Sequence, residues 1–131
     1  MPPVAGDPLH RLDEITRRLR RECPWDREQD ERSIVPHTVE EAGELAEAVE
    51  SGEDARILDE LGDVLFQVVF LSLLLEERGA GDLDAVAATV TEKLIRRHPH
   101  VFGDAVAETP EDVRRIWKEV KRAEREQEEA R

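Results

Sequence analysis

Residues 40–75 read EEAGELAEAVESGEDARILDELGDVLFQVVFLSLLL: two helical periods with a turn between them. Val39, Ala42, Leu45, Ala46 and Val49 recur at three- and four-residue spacing, the apolar face of an amphipathic helix. That helix stops at Ser51-Gly52. The next runs from about Asp54 to Arg78 and ends at Gly79-Ala80-Gly81, where glycine releases the backbone from helix. So short a connection makes the two helices antiparallel neighbours. From Val64 to Leu75 the second is apolar on nearly all sides, so it must be central in something. A bundle this small can hardly surround it alone, and the run is expected to lie partly in a subunit interface, with Phe70 as a member.

Working outward, Leu9, Leu12, Ile15 and Leu19 predict a first helix to about Arg21, broken at Cys23-Pro24 because proline disfavours helix in the residue before it. Arg27 to Ile34 shows no clear period. The helix carrying Val39 is expected to start near Pro36 to Thr38, with Thr38 as N-cap. A fourth helix opens at Asp82 or Leu83, with Val86, Val90, Leu94 and Ile95 on its apolar face, and ends near His98-Pro99. Thr109-Pro110-Glu111-Asp112 is a strong helix start: a capping hydroxyl, proline at the first position, then acids at the positive end of the dipole. The last helix carries Val113, Ile116, Trp117 and Val120 and is expected to fray from Lys121 onward. No segment reads as a strand. The expectation is an all-α bundle of four to five helices with a subunit interface. A leader over 1–8 precedes one domain over 9–128, and a tail covers 129–131.

Length suits one domain: 131 residues, 39% apolar and 39% charged. Lys and Arg total 19 against 32 Asp and Glu, a net charge of −13, which opposes binding to a nucleic acid polymer. Acidity ordinarily serves solubility alone, and it is compatible with a cation site. Cys23 is the single cysteine, which excludes an intrachain disulfide and a paired-cysteine zinc site. With no basic, apolar leader and no apolar run near the roughly 20 residues of a membrane span, the expected place is the cytoplasm, with no membrane partner.

Chemistry concentrates on the two central helices. Glu41 and Glu44 stand three apart and share a face, as do Glu60 and Asp63, with Gln67 extending the second stripe. Antiparallel packing can bring the four carboxylates together, and four such charges repel unless a cation compensates them. All-oxygen ligands suit Mg²⁺, or Mn²⁺, better than zinc. Mg²⁺ fills the rest of its shell with water and substrate phosphate, so a phosphate ester or anhydride is the expected substrate class. In an acidic chain, Glu-x-x-Glu is ordinarily a solvated face. Against that, the second pair heads the most apolar helix, where idle acids are unexpected. Gly43 and Gly62 interrupt both helices at about 1 kcal/mol each, a cost that close helix approach or ligand access would explain. A di-iron bundle requires Glu-x-x-His pairs. The residues three before His10, His37, His98 and His100 are Asp7, Ile34, Ile95 and Arg97, so that motif is missing.

Five pieces, in order, resemble the MazG family of all-α nucleoside triphosphate pyrophosphohydrolases. They are Cys23-Pro24-Trp25-Asp26 with Glu28-Gln29; Glu40-Glu41-x-x-Glu44 followed by Glu60-x-x-Asp63; Leu65 to Phe70; Lys93-x-x-x-Arg97-His98-Pro99-His100-Val101-Phe102; and Trp117-x-x-x-Lys121. The resemblance implies that Glu41, Glu44, Glu60 and Asp63 hold Mg²⁺ and that Glu40 joins them in the catalytic set. It also implies that Lys93, Arg97, Trp117 and Lys121 bind the nucleotide, and that the protein is dimeric with helices packing across the subunit interface, a homodimer or a tetramer built from one. The implied reaction is hydrolysis of nucleoside triphosphates, ribo or deoxy, to monophosphate and pyrophosphate in nucleotide-pool housecleaning. The competing readings are a pyrophosphohydrolase for a single nucleotide (a deoxypyrimidine triphosphate or phosphoribosyl-ATP) and a non-catalytic helical dimerisation module. The chain departs from the family at Asp30-Glu31, where Thr-His is common, and at His37 and Gly43, where aromatic residues are common.

Overall fold

Asp7 opens the first helix: its carboxylate accepts the His10 N–H at 3.1 Å, and Pro8 takes the first helical position. In the computed structural model, residues 7–130 are described. They form α1 (Pro8–Glu22), α2 (Pro24–Glu28), α3 (Glu31–Ser51), α4 (Asp54–Glu77), α5 (Leu83–Arg97), α6 (Pro99–Phe102) and α7 (Pro110–Glu129), with no strand among the described residues. Five of these are long and two are single-turn pieces. Of the expected leader, residues 1–6 lie outside the described residues; of the expected tail, Glu129 closes α7, Ala130 caps it and Arg131 lies outside. None of the described helices is long and apolar enough to cross a membrane.

The chain divides into two compact units, Met1–Leu83 and Asp84–Arg131. In the first, α3 and α4 form an αα-hairpin around Gly52, which adopts the left-handed conformation (φ 70°) that ends α3. Its core gathers Ile34, Phe70 and Leu74, with Phe66 and Leu71 packed against them. Phe70 is 1% exposed, so it is a core residue of this chain, where the apolar run had suggested a subunit contact. Thr38 Oγ1 donates to Gln67 Oε1 at 2.8 Å and ties α3 to α4.

α3 begins five residues earlier than the Pro36 region. Asp30 and Ser33 form a reciprocal capping box, and Pro36 is carried inside the helix. Burial of Ile34 in the core offsets the hydrogen bond that proline removes. Thr38 is therefore an interhelical link and not a cap.

α1 is fastened to the far end of α4 by two bidentate pairs. Arg17 grips Glu76 at 2.6 and 2.8 Å, and Arg20 grips Glu77 at 2.9 Å through both nitrogens. Arg20 Nη1 also donates to the backbone carbonyls of Asp26, Arg27 and Gln29, which fixes α2 and the turn after it.

In the second unit no residue of α5, α6 or α7 is buried; Val90, Leu94 and Ile95 of the α5 apolar face are each close to half exposed. α7 stays regular to Glu129 instead of fraying at Lys121. Glu124, two turns beyond Trp117, is anchored to α5 by Arg96 at 2.7 Å and Arg97 at 2.9 Å.

Candidate metal centre

The α3–α4 hairpin brings Glu41, Glu44, Glu60 and Asp63 together: one carboxylate oxygen from each lies within 4.8 Å of the others. Each pair is three residues apart on its helix, so both members project from one face. Glu41 Oε2 and Glu60 Oε2 are buried, and no group among the described residues donates to them. Burial is the largest cause pushing the Glu41 carboxyl up to about 7, followed by the charges of Glu44 and Asp63. Glu60 is raised for the same reasons, in the same order.

Two buried anionic oxygens without a donor are a heavy cost to a fold unless a ligand relieves it. Four converging carboxylate oxygens, with no nitrogen or sulfur among them, match what Mg²⁺ or Mn²⁺ requires and what zinc does not. The donor set fits a hard divalent cation.

Glu40 stands outside this group of four; its exposed side chain has His37 Nδ1 at 3.9 Å. Gln67 is buried and spends its carbonyl on Thr38, so its part is structural. Among the described residues, a Cβ built at Gly43 or Gly62 would meet nothing within 4 Å. Close packing within the first unit therefore does not explain these glycines.

Lys93, Arg97, Trp117 and Lys121 all belong to the second unit. Lys93 is half-buried and Lys121 exposed, and neither makes an ion pair among the described residues. Arg97 is engaged by Glu124, whose carboxyl the Arg97 and Arg96 guanidiniums pull down to about 2. Trp117 is 38% exposed and meets the His98 ring edge-on at 5.5 Å. Sequence reading missed the Arg97–Glu124 pair, which joins positions 27 residues apart. It also missed the edge-on contact of Trp25 with His37 at 5.5 Å. No periodic signal marks either one.

Residues 29–102 match the family described as the MazG nucleotide pyrophosphohydrolase domain. The chain belongs to the MazG family. Among curated MazG relatives it is 42% identical over 122 residues to the nucleoside triphosphate pyrophosphohydrolase of Escherichia coli K12, covering 91% of this chain and 46% of that protein. It is 43% identical over 123 residues to the nucleoside triphosphate pyrophosphohydrolase/pyrophosphatase MazG of Thermotoga maritima, covering 92% and 47%. The chain thus spans about half the length of these relatives. A crystal structure of a mazG-related protein from Thermotoga maritima superposes with a TM-score of 0.72 at 30% identity, over 86% of this chain and 98% of that one.

Proposed function

We infer that this MazG chain hydrolyses nucleoside triphosphates to the monophosphate and pyrophosphate with Mg²⁺, or Mn²⁺ in its place, and that residues 9–128 work as one catalytic domain. The observation that carries this reading is the pair of buried, undonated carboxylate oxygens within the Glu41–Glu44–Glu60–Asp63 group. These four would hold the metal. When bound, it would lower the pKa of a coordinated water and neutralise phosphate charge. Water attacks the α-phosphorus in line, the bond to the α,β-bridging oxygen breaks, and pyrophosphate leaves. A carboxylate of the Glu40, Glu41 and Glu44 set accepts the water's proton. Lys93, Arg97 and Lys121 meet the charge that develops on the leaving group, and Trp117 packs on the nucleoside.

The working assembly in this reading is a homodimer, or a tetramer built from it, in the cytoplasm. Support comes from apolar side chains that the single chain leaves open: Leu58 is 75% exposed, Val39 67% and Leu61 50%. Light scattering checks the assembly. The physiological role is housecleaning of the nucleotide pool.

Product analysis tests the chemistry. A panel of ribo- and deoxyribonucleoside triphosphates with Mg²⁺ is expected to yield monophosphate and pyrophosphate. Orthophosphate with a diphosphate product overturns the assignment, and hydrolysis confined to one nucleotide narrows it to a specialised enzyme.

A further inference from the structure

Regularity of α7 from Pro110 to Glu129 fixes where its charges point, since side chains step by about 100° per residue. Val113, Ile116, Trp117 and Val120 take one side. Lys118, Lys121, Arg122 and Arg125, related as i, i+3, i+4 and i+7, fall within about 100° of arc on another. Together with Arg97 of α5 they border a groove of about 580 Å³, inside the range of small-ligand sites.

The pairing in this groove is unusual for so acidic a chain. Lys118 with Arg122, and Lys121 with Arg125, place like charges one turn apart, which weakens a helix. Arg114 and Arg115, earlier on the same helix, are each held by an acid three residues before them, Glu111 and Asp112. None of the four groove cations on α7 makes an ion pair or hydrogen bond among the described residues. Glu119 and Glu128 also line the groove, yet neither bonds to any of the four. Glu124 is the one acid committed there. Its Oε1 accepts from Arg97 Nη2 at 2.9 Å, and its Oε2 accepts from Arg96 Nε at 2.7 Å. Neighbouring residues on a helix diverge, so this shared carboxylate is what turns both guanidiniums toward α7.

We propose that this groove is an anion site for a short phosphate chain, in which Lys118, Arg122 and Arg125 extend the phosphate contacts beyond Arg97 and Lys121, with Glu124 as the positioning residue for Arg97. Guanidinium forks match phosphate oxygens bidentately. From Lys118 to Arg125 the stripe is about 10 Å long, the scale of a few linked phosphates, while the net charge of −13 disfavours a nucleic acid polymer. Identification of the phosphate chain as that of a nucleoside triphosphate rests on the function proposed above; the groove itself lies wholly within the second unit.

The test is calorimetric titration of inorganic pyrophosphate into the metal-free full chain at low and physiological salt. It compares the natural protein with Arg122→Gln, Arg125→Gln and Lys118→Gln, and thermal melting verifies that each variant is folded. Expected is salt-sensitive binding that weakens about tenfold in each variant, the loss of one charge-assisted hydrogen bond, with Mn²⁺ titration unchanged. In hydrolysis the same variants raise KM and leave kcat in place. Absence of pyrophosphate binding in the natural protein overturns the groove, as does binding by the variants equal to it. If triphosphate is hydrolysed while KM and pyrophosphate affinity stay unmoved in all three, the groove fails and the proposed function stands. If no triphosphate is hydrolysed but the variants lose pyrophosphate, the proposed function fails and the groove stands.

Discussion

Glu60 and Glu76 sit sixteen residues apart on α4, roughly 24 Å along one helix axis, and the protein treats them in opposite ways. At the far end Arg17 grips Glu76 with two hydrogen bonds and holds its carboxyl below the ordinary range. At the near end Glu60 gains no cation among the described residues; burial and the charges of Glu44 and Asp63 hold it above that range. One helix thus carries acids that fasten the fold and acids that the fold leaves unsatisfied. What separates them is the partner and not the residue type. An acid gathered with other acids and shielded from water, when arginines stand elsewhere in the same unit, marks a place that could hold a metal ion.

The sharpest way to break this contrast is to remove a charge at each end. Glu60→Gln is expected to cost about a hundredfold or more in triphosphate hydrolysis, read by steady-state kinetics. Metal-free stability in urea is expected to stay level or rise, because a repelling charge is gone. An active Glu60→Gln enzyme would remove the near end from the chemistry. Next in size is the metal itself. Mn²⁺ or Mg²⁺ at 100 times its dissociation constant is expected to add about 2.7 kcal/mol to stability if it binds only the folded chain, and Glu60→Gln is expected to lose most of that gain.

Smaller, and opposite in sign at the two ends, is the effect of pH on the metal-free protein. A carboxyl whose folded pKa lies above its unfolded value holds its proton more tightly in the fold. For Glu41, raised from 4.5 to about 7, stability is expected to fall as pH climbs through that interval. Glu76 is lowered, so its contribution is present above the ordinary carboxylate value and is lost in acid. Urea unfolding between pH 2 and 8 reads both, and saturating metal is expected to flatten the neutral part. The smallest effect belongs to Arg17→Ala, which is expected to lower Tm by a few degrees with kcat preserved; the measurement is a thermal melt beside a rate.

Much of this was legible in the chain. The 40–75 stretch gave both helices of the hairpin, and the Glu-x-x-Glu and Glu-x-x-Asp spacings gave the four acids, because a helix face is a local property. The start of α3 is not legible because Arg27 to Ile34 shows no clear period; there a capping box and one core isoleucine extend the helix through an internal proline. An all-apolar run does not say which of its sides the chain itself covers, and Phe70 lies on a covered one. The Arg17, Arg20 and Arg97 partners are 59, 57 and 27 residues away, and charge pairing at that separation leaves no periodic trace.

Arg20 has one more consequence. A five-residue helix such as Pro24–Glu28 cannot persist alone, since nucleation costs more than one turn returns. Here one guanidinium, lying 5.8 Å from the Phe70 ring centre, binds two carbonyls of that segment, the carbonyl of the capping Gln29 and Glu77 at once. Opening the segment therefore means breaking the α1–α4 seam as well. In hydrogen exchange its amides are expected to trade with solvent in step with those of α4 around Phe70, and to uncouple from them in Arg20→Lys, where a single ammonium replaces the fork. The segment that shows no clear helical period in the sequence is thereby expected to open only together with the core around Phe70.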